Sequence, residues 1–200
     1  MKRSLSAFIA FLAWMAVVTQ YYLMIQNRVE SIPETTVRFF SFFTILTNSL
    51  VAVFFTLRLT GKRSIPDQPG ALTAVMIYIT IVGLVYQMVL RQTWEPTGLQ
   101  KIIDELLHSV IPVLVIVFWC LYENKSALKF SQIPQWLIYP LLYLVYVLIR
   151  GSISGFYPYP FINVADIGWQ NVIINSAGIT VLFLVISAAF VKLGKSRVFL

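Results

Sequence analysis

The sequence predicts an all-α membrane protein, a polytopic helical bundle of six transmembrane helices with both termini in the cytoplasm. Hydrophobic residues make up 58% of the 200 residues and charged residues 12%, against about 45–50% and about 25% in soluble domains. The charged residues fall in short breaks between apolar runs, and all but the fifth of these runs have the roughly 20 residues that a spanning helix needs. These observations place residues 1–200 in a single multi-pass domain of the cell membrane.

Six apolar runs define the predicted helices. In chain order they are Leu5–Ile25, Val37–Leu57, Ala71–Leu90, Ile102–Leu121, Trp136–Ile149 and Val172–Val191. The fifth run is the shortest, so we expect its helix to extend backwards into Ser131–Gln135 or forwards towards Gly151. Pro112 and Pro140 lie inside predicted helices, where a proline removes a backbone hydrogen bond, and we expect kinks there.

The first run follows Met1-Lys2-Arg3 and resembles a signal peptide at first sight. It is longer than the roughly 7–15 apolar residues of a signal-peptide core, and no small-x-small cleavage site follows it. We therefore expect a retained first helix.

The basic residues predict the orientation of the bundle. With a cytoplasmic N-terminus, the inner segments carry ten of them: Lys2, Arg3, Arg58, Lys62, Arg63, Lys125, Lys129, Lys192, Lys195 and Arg197. The outer segments carry five: Arg28, Arg38, Arg91, Lys101 and Arg150. Cytoplasmic loops are enriched in Lys and Arg, so this bias favours two cytoplasmic termini.

Composition also limits the partners and cofactors. The net charge of +7 is spread over the breaks rather than gathered on one stripe or arm, so we expect a bilayer and no nucleic acid as partner. One cysteine and one histidine cannot form an internal disulfide or a Cys/His zinc cluster. We expect no metal and no cofactor.

His108 is the clearest functional candidate, because an ionisable side chain inside a membrane helix is costly. Asp104 precedes it by four residues, which places both side chains on one helix face. The carboxylate could orient the imidazole and stabilise its charged form. Alternatively, His108 could link neighbouring helices through structural hydrogen bonds.

The second run carries Thr44, Thr47 and Asn48. Threonine in a membrane helix most often bonds to a carbonyl one turn earlier or packs as a small interface residue, so a structural role is an alternative here. Thr44 lies about seven residues into the predicted second helix and His108 about six into the fourth, each about 10 Å below the outer surface at 1.5 Å per residue. The two side chains could meet if these helices are neighbours.

Other polar residues fall in the outer halves of the predicted helices. They are Gln20, Gln87, Arg91, Arg150, Asn171 and Asn175. We expect a polar cavity open to the outer leaflet, with a purely structural hydrogen-bond network as the alternative. Arg150, at the start of a loop rich in glycine, proline and aromatic residues, could bind a carboxylate in bidentate fashion or pair with Asp104 or Asp166.

Three segments resemble the bacterial six-helix membrane proteins of the Pr6Pr type. They are Phe40-Ser41-Phe42-Phe43-Thr44 through Asn48, Leu106-Leu107-His108 through Pro112, and Tyr139-Pro140-Leu141 through Arg150-Gly151 with Tyr157-Pro158-Tyr159-Pro160-Phe161. The resemblance covers nearly the whole chain. These proteins are similar, more distantly, to the animal androgen-induced and androgen-dependent membrane proteins, which include threonine hydrolases that cleave fatty acid esters of hydroxy fatty acids.

The resemblance implies an intramembrane hydrolase that acts on a membrane lipid or fatty acid ester. The family threonine falls on Thr44, with Thr47 as the less favoured register, and the family histidine on His108. In such a reaction His108 would activate the Thr44 hydroxyl, an acyl-threonine would form, and His108 would then activate water.

More than one residue could stabilise the oxyanion or bind the substrate in this reaction. Asn48, Asn171 or Asn175 could stabilise an oxyanion, and Arg91 or Arg150 could hold a carboxylate of the substrate. A transporter or channel is the alternative function, with Asp104 and His108 as a proton relay. Against it, the sequence has no inverted repeat and no pair of glycine-broken helices.

Overall fold

The computed structural model describes residues 1–60, 68–93 and 95–195, and within these ranges the regular structure is entirely helical. Eight α-helices follow in chain order: α1 Lys2–Gln26, α2 Ile32–Phe39, α3 Phe43–Leu59, α4 Ala71–Val85, α5 Gly98–Glu105, α6 Ile111–Tyr122, α7 Ile133–Ser154 and α8 Val164–Gly194. Lys62, Arg63 and Arg197, which enter the charge count, lie outside the described residues.

Five described segments are long and apolar enough to cross a membrane. They are Lys2–Gln26, Ala71–Leu90, Gly98–Tyr122, Phe130–Ser154 and Val164–Gly194. A sixth arises if α2 and α3 count as one span, although they are bent by 73°. The described chain is thus all-helical, with five or six segments that could span a membrane.

The predicted second helix, Val37–Leu57, is wrong as a continuous helix. α2 ends at Phe39 and α3 begins at Phe43, and Phe42 between them has an extended backbone with φ −81° and ψ 125°. The Ser41 hydroxyl donates to the Val37 carbonyl at 2.7 Å. The Ser41 N–H donates instead to the Arg38 carbonyl at 3.0 Å, so the backbone leaves the α-helical pattern here.

The fifth and sixth predicted helices extend furthest beyond their apolar runs. The fifth extends in both directions, to Ile133 and to Ser154, and continues through Pro140. The sixth begins at Val164, although its backbone is interrupted at Gly168, which has φ +73°.

Two wider, π-helical turns continue the helices of the third and fourth spans. One covers Tyr86–Leu90 after α4, and the other covers Leu106–Val110 between α5 and α6. Pro112 has no N–H to donate to the carbonyl of His108 four residues earlier. The series of α-helical backbone hydrogen bonds is therefore interrupted at the second of these turns.

The chain divides into two compact units, Met1–Asn124 and Lys125–Leu200. In the first unit, α1 packs along α3, and α4 packs on α3 and α6. Ala13 and Ala16 of α1 and Ala52 of α3 are fully buried, and small side chains of this kind let helix backbones approach closely.

The helix ends of the first unit gather at two opposite poles. At one pole the Arg3 guanidinium donates to the Leu59 carbonyl at 3.5 Å, and the Lys2 ammonium lies 5.8 Å from the centre of the Tyr122 ring. At the other pole Gln100 donates to Gln20 at 2.8 Å. We call these the basic pole and the amide pole.

The second unit is built on α7 and α8. Gly155, with φ +71°, ends α7 and donates its N–H to the Gly151 carbonyl at 2.8 Å, as expected for a glycine that terminates a helix. A Cβ on Gly151 would lie 2.1 Å from a ring carbon of Tyr157. The glycine therefore makes room for the Tyr157 ring on α7.

Candidate functional site

The break between α2 and α3 positions Thr44. Because α3 begins at Phe43, Thr44 is its second residue, and the expectation of about seven residues inside the helix is wrong. Its side chain lies in the interior of the first unit, where Thr44 is 9% exposed. Thr47, one turn further along α3, is fully buried.

Thr44 and His108 are in direct contact. The Thr44 hydroxyl oxygen lies 3.3 Å from His108 Nε2, within reach of a hydrogen bond. His108 belongs to the π-helical turn between α5 and α6, and its side chain is 11% exposed. The structure therefore brings together the threonine and the histidine that the sequence singles out.

Asp104 occupies the other side of the imidazole. His108 Nδ1 lies 2.9 Å from the backbone oxygen of Asp104 and 3.3 Å from its carboxylate oxygen Oδ1. Both of these atoms are acceptors, so Nδ1 carries the hydrogen and Nε2 is left to accept from the Thr44 hydroxyl. A hydroxyl, an imidazole and a buried carboxylate in this order form the arrangement that activates a nucleophile.

Tyr86 is a member of the site that the sequence analysis missed. Its hydroxyl donates to Asp104 Oδ2, and its ring stacks on the His108 imidazole with 4.0 Å between centres and 14° between planes. Tyr86 is 4% exposed. The sequence shows only a tyrosine inside an apolar run. Such a residue is equally typical of an aromatic side chain at the membrane–water interface.

Asn48 links the two helices of the site. Its side-chain N–H₂ group donates to the backbone oxygens of Thr44, at 2.9 Å, and Leu107, at 3.2 Å. Both amide hydrogens are therefore used, which leaves none for an oxyanion in this arrangement. Its Oδ1 is buried and accepts no hydrogen bond from the described residues.

Arg91 lies beside the site in a separate polar group. It pairs with Glu105 and donates to Gln87 at 2.7 Å. Gln87 in turn donates to Ser109 at 2.9 Å, and Ser109 donates to Glu105 at 2.7 Å. The Arg91 side chain is 46% exposed, so this group is open to its surroundings.

The remaining candidates belong to the second unit. Arg150 donates to Ser154 at 2.7 Å and to the Phe156 carbonyl at 3.4 Å. Asn171 donates to the Ile167 carbonyl at 2.7 Å and Asn175 to the Phe161 carbonyl at 2.9 Å. These bonds serve local structure within that unit.

A second polar cluster lies towards the basic pole. Trp119 donates to the Thr73 hydroxyl and Thr73 to the Glu123 carboxylate, each at 2.8 Å. Fully buried apolar side chains stand between this cluster and the His108 site on α4 and α6: Met76, Ile77, Ile79, Ile111, Val115 and Phe118. We call these six residues the apolar layer.

The described residues contain no group of three or more His, Cys, Asp or Glu side chains that could hold a metal ion. Comparisons of the chain with protein-family models, with curated proteins and with solved structures find no match.

Proposed function

We propose that this protein is an intramembrane lipid-ester hydrolase in which Thr44 is the nucleophile and His108 the general base. The observation that carries the proposal is the 3.3 Å contact between the Thr44 hydroxyl and His108 Nε2, with Asp104 on the far side of the ring. A threonine hydroxyl is a weak nucleophile and needs an adjacent base, which this contact supplies.

The proposed reaction has two steps. His108 Nε2 takes the hydroxyl proton as Thr44 Oγ1 attacks the ester carbonyl carbon, and the same proton passes to the leaving alcohol when the carbon–oxygen ester bond breaks. Water then attacks the acyl-threonine, again with His108 as base, which releases the carboxylic acid and restores the Thr44 hydroxyl. Asp104 stabilises the imidazolium that forms transiently in each step.

Two features of the first unit support the transition state and the choice of substrate. Thr44 is the second residue of α3, so negative charge on the carbonyl oxygen develops near the positive end of that helix dipole. The site lies between apolar helices, which favours an ester that partitions into the bilayer. A free carboxylate on the substrate would bind Arg91 in competition with Glu105.

We further propose six membrane spans with both termini in the cytoplasm, α2 and α3 together forming the second. The contacts of Lys2 and Arg3 support it, because the first unit gathers basic residues at one pole. At the other pole Arg38 is paired with Glu30 and Glu34, and Arg91 with Glu105. Unbalanced basic charge favours the cytoplasmic side.

A proton or solute pathway is the rival function, and the chain Tyr86–Asp104–His108–Thr44 would be its relay. The apolar layer argues against it. Tyr86 and Thr73 are 13 residues apart, about 20 Å along a helix, and Tyr78 and Thr80 are the polar side chains of α4 between them. The Thr80 hydroxyl donates to the Met76 carbonyl at 2.7 Å, whereas a relay needs a continuous series of polar groups or water across that distance.

The deciding experiment combines a covalent probe with a lipid-ester assay. Purified protein is treated with a fluorophosphonate probe and separately offered fatty acid esters of hydroxy fatty acids. We expect labelling and hydrolysis in the wild type, loss of both in Thr44→Ala, and retention in Thr47→Ala as the matched control. Undiminished labelling and hydrolysis in Thr44→Ala would refute the mechanism, and a wild type inactive on all these esters would favour the pathway.

A further inference from the structure

We infer that Tyr86 is a positioning residue that holds the His108–Asp104 pair in its reactive geometry, an inference that deepens the proposed function and rests on it. Tyr86 touches both members of the pair, Asp104 through its hydroxyl and His108 through its ring. Neither contact involves Thr44, so Tyr86 acts through the base and its carboxylate.

The hydroxyl of Tyr86 fixes the Asp104 carboxylate. A carboxylate can rotate about its Cβ–Cγ bond and so exchange its two oxygens. With Oδ2 held by the phenol, Oδ1 stays 3.3 Å from His108 Nδ1. Asp104 is 6% exposed, so little water competes for these oxygens, and a hydrogen bond to a buried charged group is among the stronger ones in proteins.

The ring of Tyr86 fixes the plane of the imidazole. The two rings lie nearly parallel, 4.0 Å apart, which restricts rotation of the imidazole about its Cβ–Cγ bond. Such a rotation would carry Nε2 away from the Thr44 hydroxyl. The ring and the hydroxyl of one side chain thus restrain two different rotations.

The π-helical turn that follows α4 presents Tyr86 to the pair. Tyr86 opens the π-helical turn Tyr86–Leu90, in which the Arg91 N–H donates to the Tyr86 carbonyl at 2.8 Å. His108 lies in the other π-helical turn, Leu106–Val110. Both stacked rings are therefore carried by wider turns, which are frequent at functional sites.

The single histidine of the chain makes the inference testable without an activity assay. In protein labelled with ¹⁵N-histidine, the ring signals belong to His108 alone. We expect a protonated Nδ1 whose proton resonates downfield because it faces both the backbone oxygen and the carboxylate of Asp104. In Tyr86→Phe, which keeps the ring and loses the hydroxyl, this proton should move upfield, and kcat should fall about tenfold or more with little change in KM.

Two companion variants separate positioning from stability. Tyr78→Phe removes the hydroxyl of a buried tyrosine in α4 and should leave the His108 signal and kcat at wild-type values. In an Asp104→Ala background, Tyr86→Phe should not move the Nδ1 proton further, since the carboxylate it positions is gone.

The outcomes also separate this inference from the proposed function. A His108 signal that is the same in Tyr86→Phe as in the wild type overturns the inference, whatever happens to kcat. A wild type without esterase activity overturns the proposed function alone, because the ring signals of His108 still report whether Tyr86 holds the pair.

Discussion

The carbonyl oxygen of His108 lies 3.0 Å from the position that a Cβ on Gly83 would occupy, and the Pro112 ring lies 3.5 Å from it. Gly83 therefore lets α4 approach the turn that carries the histidine. In Gly83→Ala the added methyl group must displace that backbone, so we expect a loss of about 1–3 kcal/mol of stability and a fall in hydrolysis, because His108 shifts away from Thr44.

Gly178→Ala is the matched control for this substitution. Gly178 lies within α8, and a Cβ there would meet nothing within 4 Å. Thermal unfolding in detergent should show Gly178→Ala equal to or slightly above the wild type, since alanine favours a helix. Equal unfolding temperatures for Gly83→Ala and the wild type would contradict the close approach.

In the proposed mechanism, removal of the general base should strongly lower turnover. General base help is worth about 10²–10⁴-fold, so His108→Ala should lose that factor in kcat while the protein still folds. Thr44→Ser should keep part of the activity, because it retains the hydroxyl. Rates on one lipid ester across these variants test both statements, and wild-type turnover in His108→Ala would show that the base lies elsewhere.

The Asp104 carboxylate should matter less than the imidazole. Asp104→Asn keeps an oxygen that can face either Tyr86 or His108 but removes the charge that stabilises the imidazolium. We expect a smaller loss of kcat than in His108→Ala, measured on the same ester. A larger loss would mean that Asp104 takes part in proton transfer itself.

Gly151→Ala tests the second unit. The new methyl group would overlap the Tyr157 ring, whose nearest carbon lies 2.1 Å away, so we expect the ring to be expelled and the unfolding temperature to fall. The same substitution should cost less in a Tyr157→Ala background, because the clash is then absent. Ser152→Ala, at an exposed position on the same helix, serves as the control.

The proposed topology predicts which added cysteines are accessible from outside. In a Cys120→Ser background, an impermeant maleimide on intact cells should label Lys101→Cys and not Lys129→Cys, and both lysines are exposed. Lys125 is a poorer site because it is 9% exposed. Labelling of Lys129→Cys from outside would contradict cytoplasmic termini.

The sequence predicted most of the helices, because apolar runs of spanning length leave few alternatives in lipid. It did not predict the bend between α2 and α3, since Phe40, Ser41 and Phe42 include no proline or glycine that would mark the end of a helix. The sequence also did not predict the π-helical turns. Pro112 marks a lost hydrogen bond, but packing decides how the helix adjusts.

The Thr44–His108 pairing was predicted for a partly mistaken reason. The expectation that Thr44 and His108 lie at equal depth below the outer surface assumes helices that start near Val37 and Ile102. In the structure α3 starts at Phe43 and α5 at Gly98. Tyr86 could not be assigned at all, because its partners Asp104 and His108 lie on another helix and only the packed structure brings them together.

The position of the apolar layer has a consequence for where the proposed enzyme takes up its ester and releases its products. Fully buried side chains such as Met76, Ile79 and Val115 separate Thr44 and His108 from the basic pole. In the proposed orientation, an ester that reaches Thr44 from the outer leaflet would return both its acid and its alcohol to that leaflet. Such an enzyme would change the lipid composition of one leaflet without moving lipid to the other leaflet.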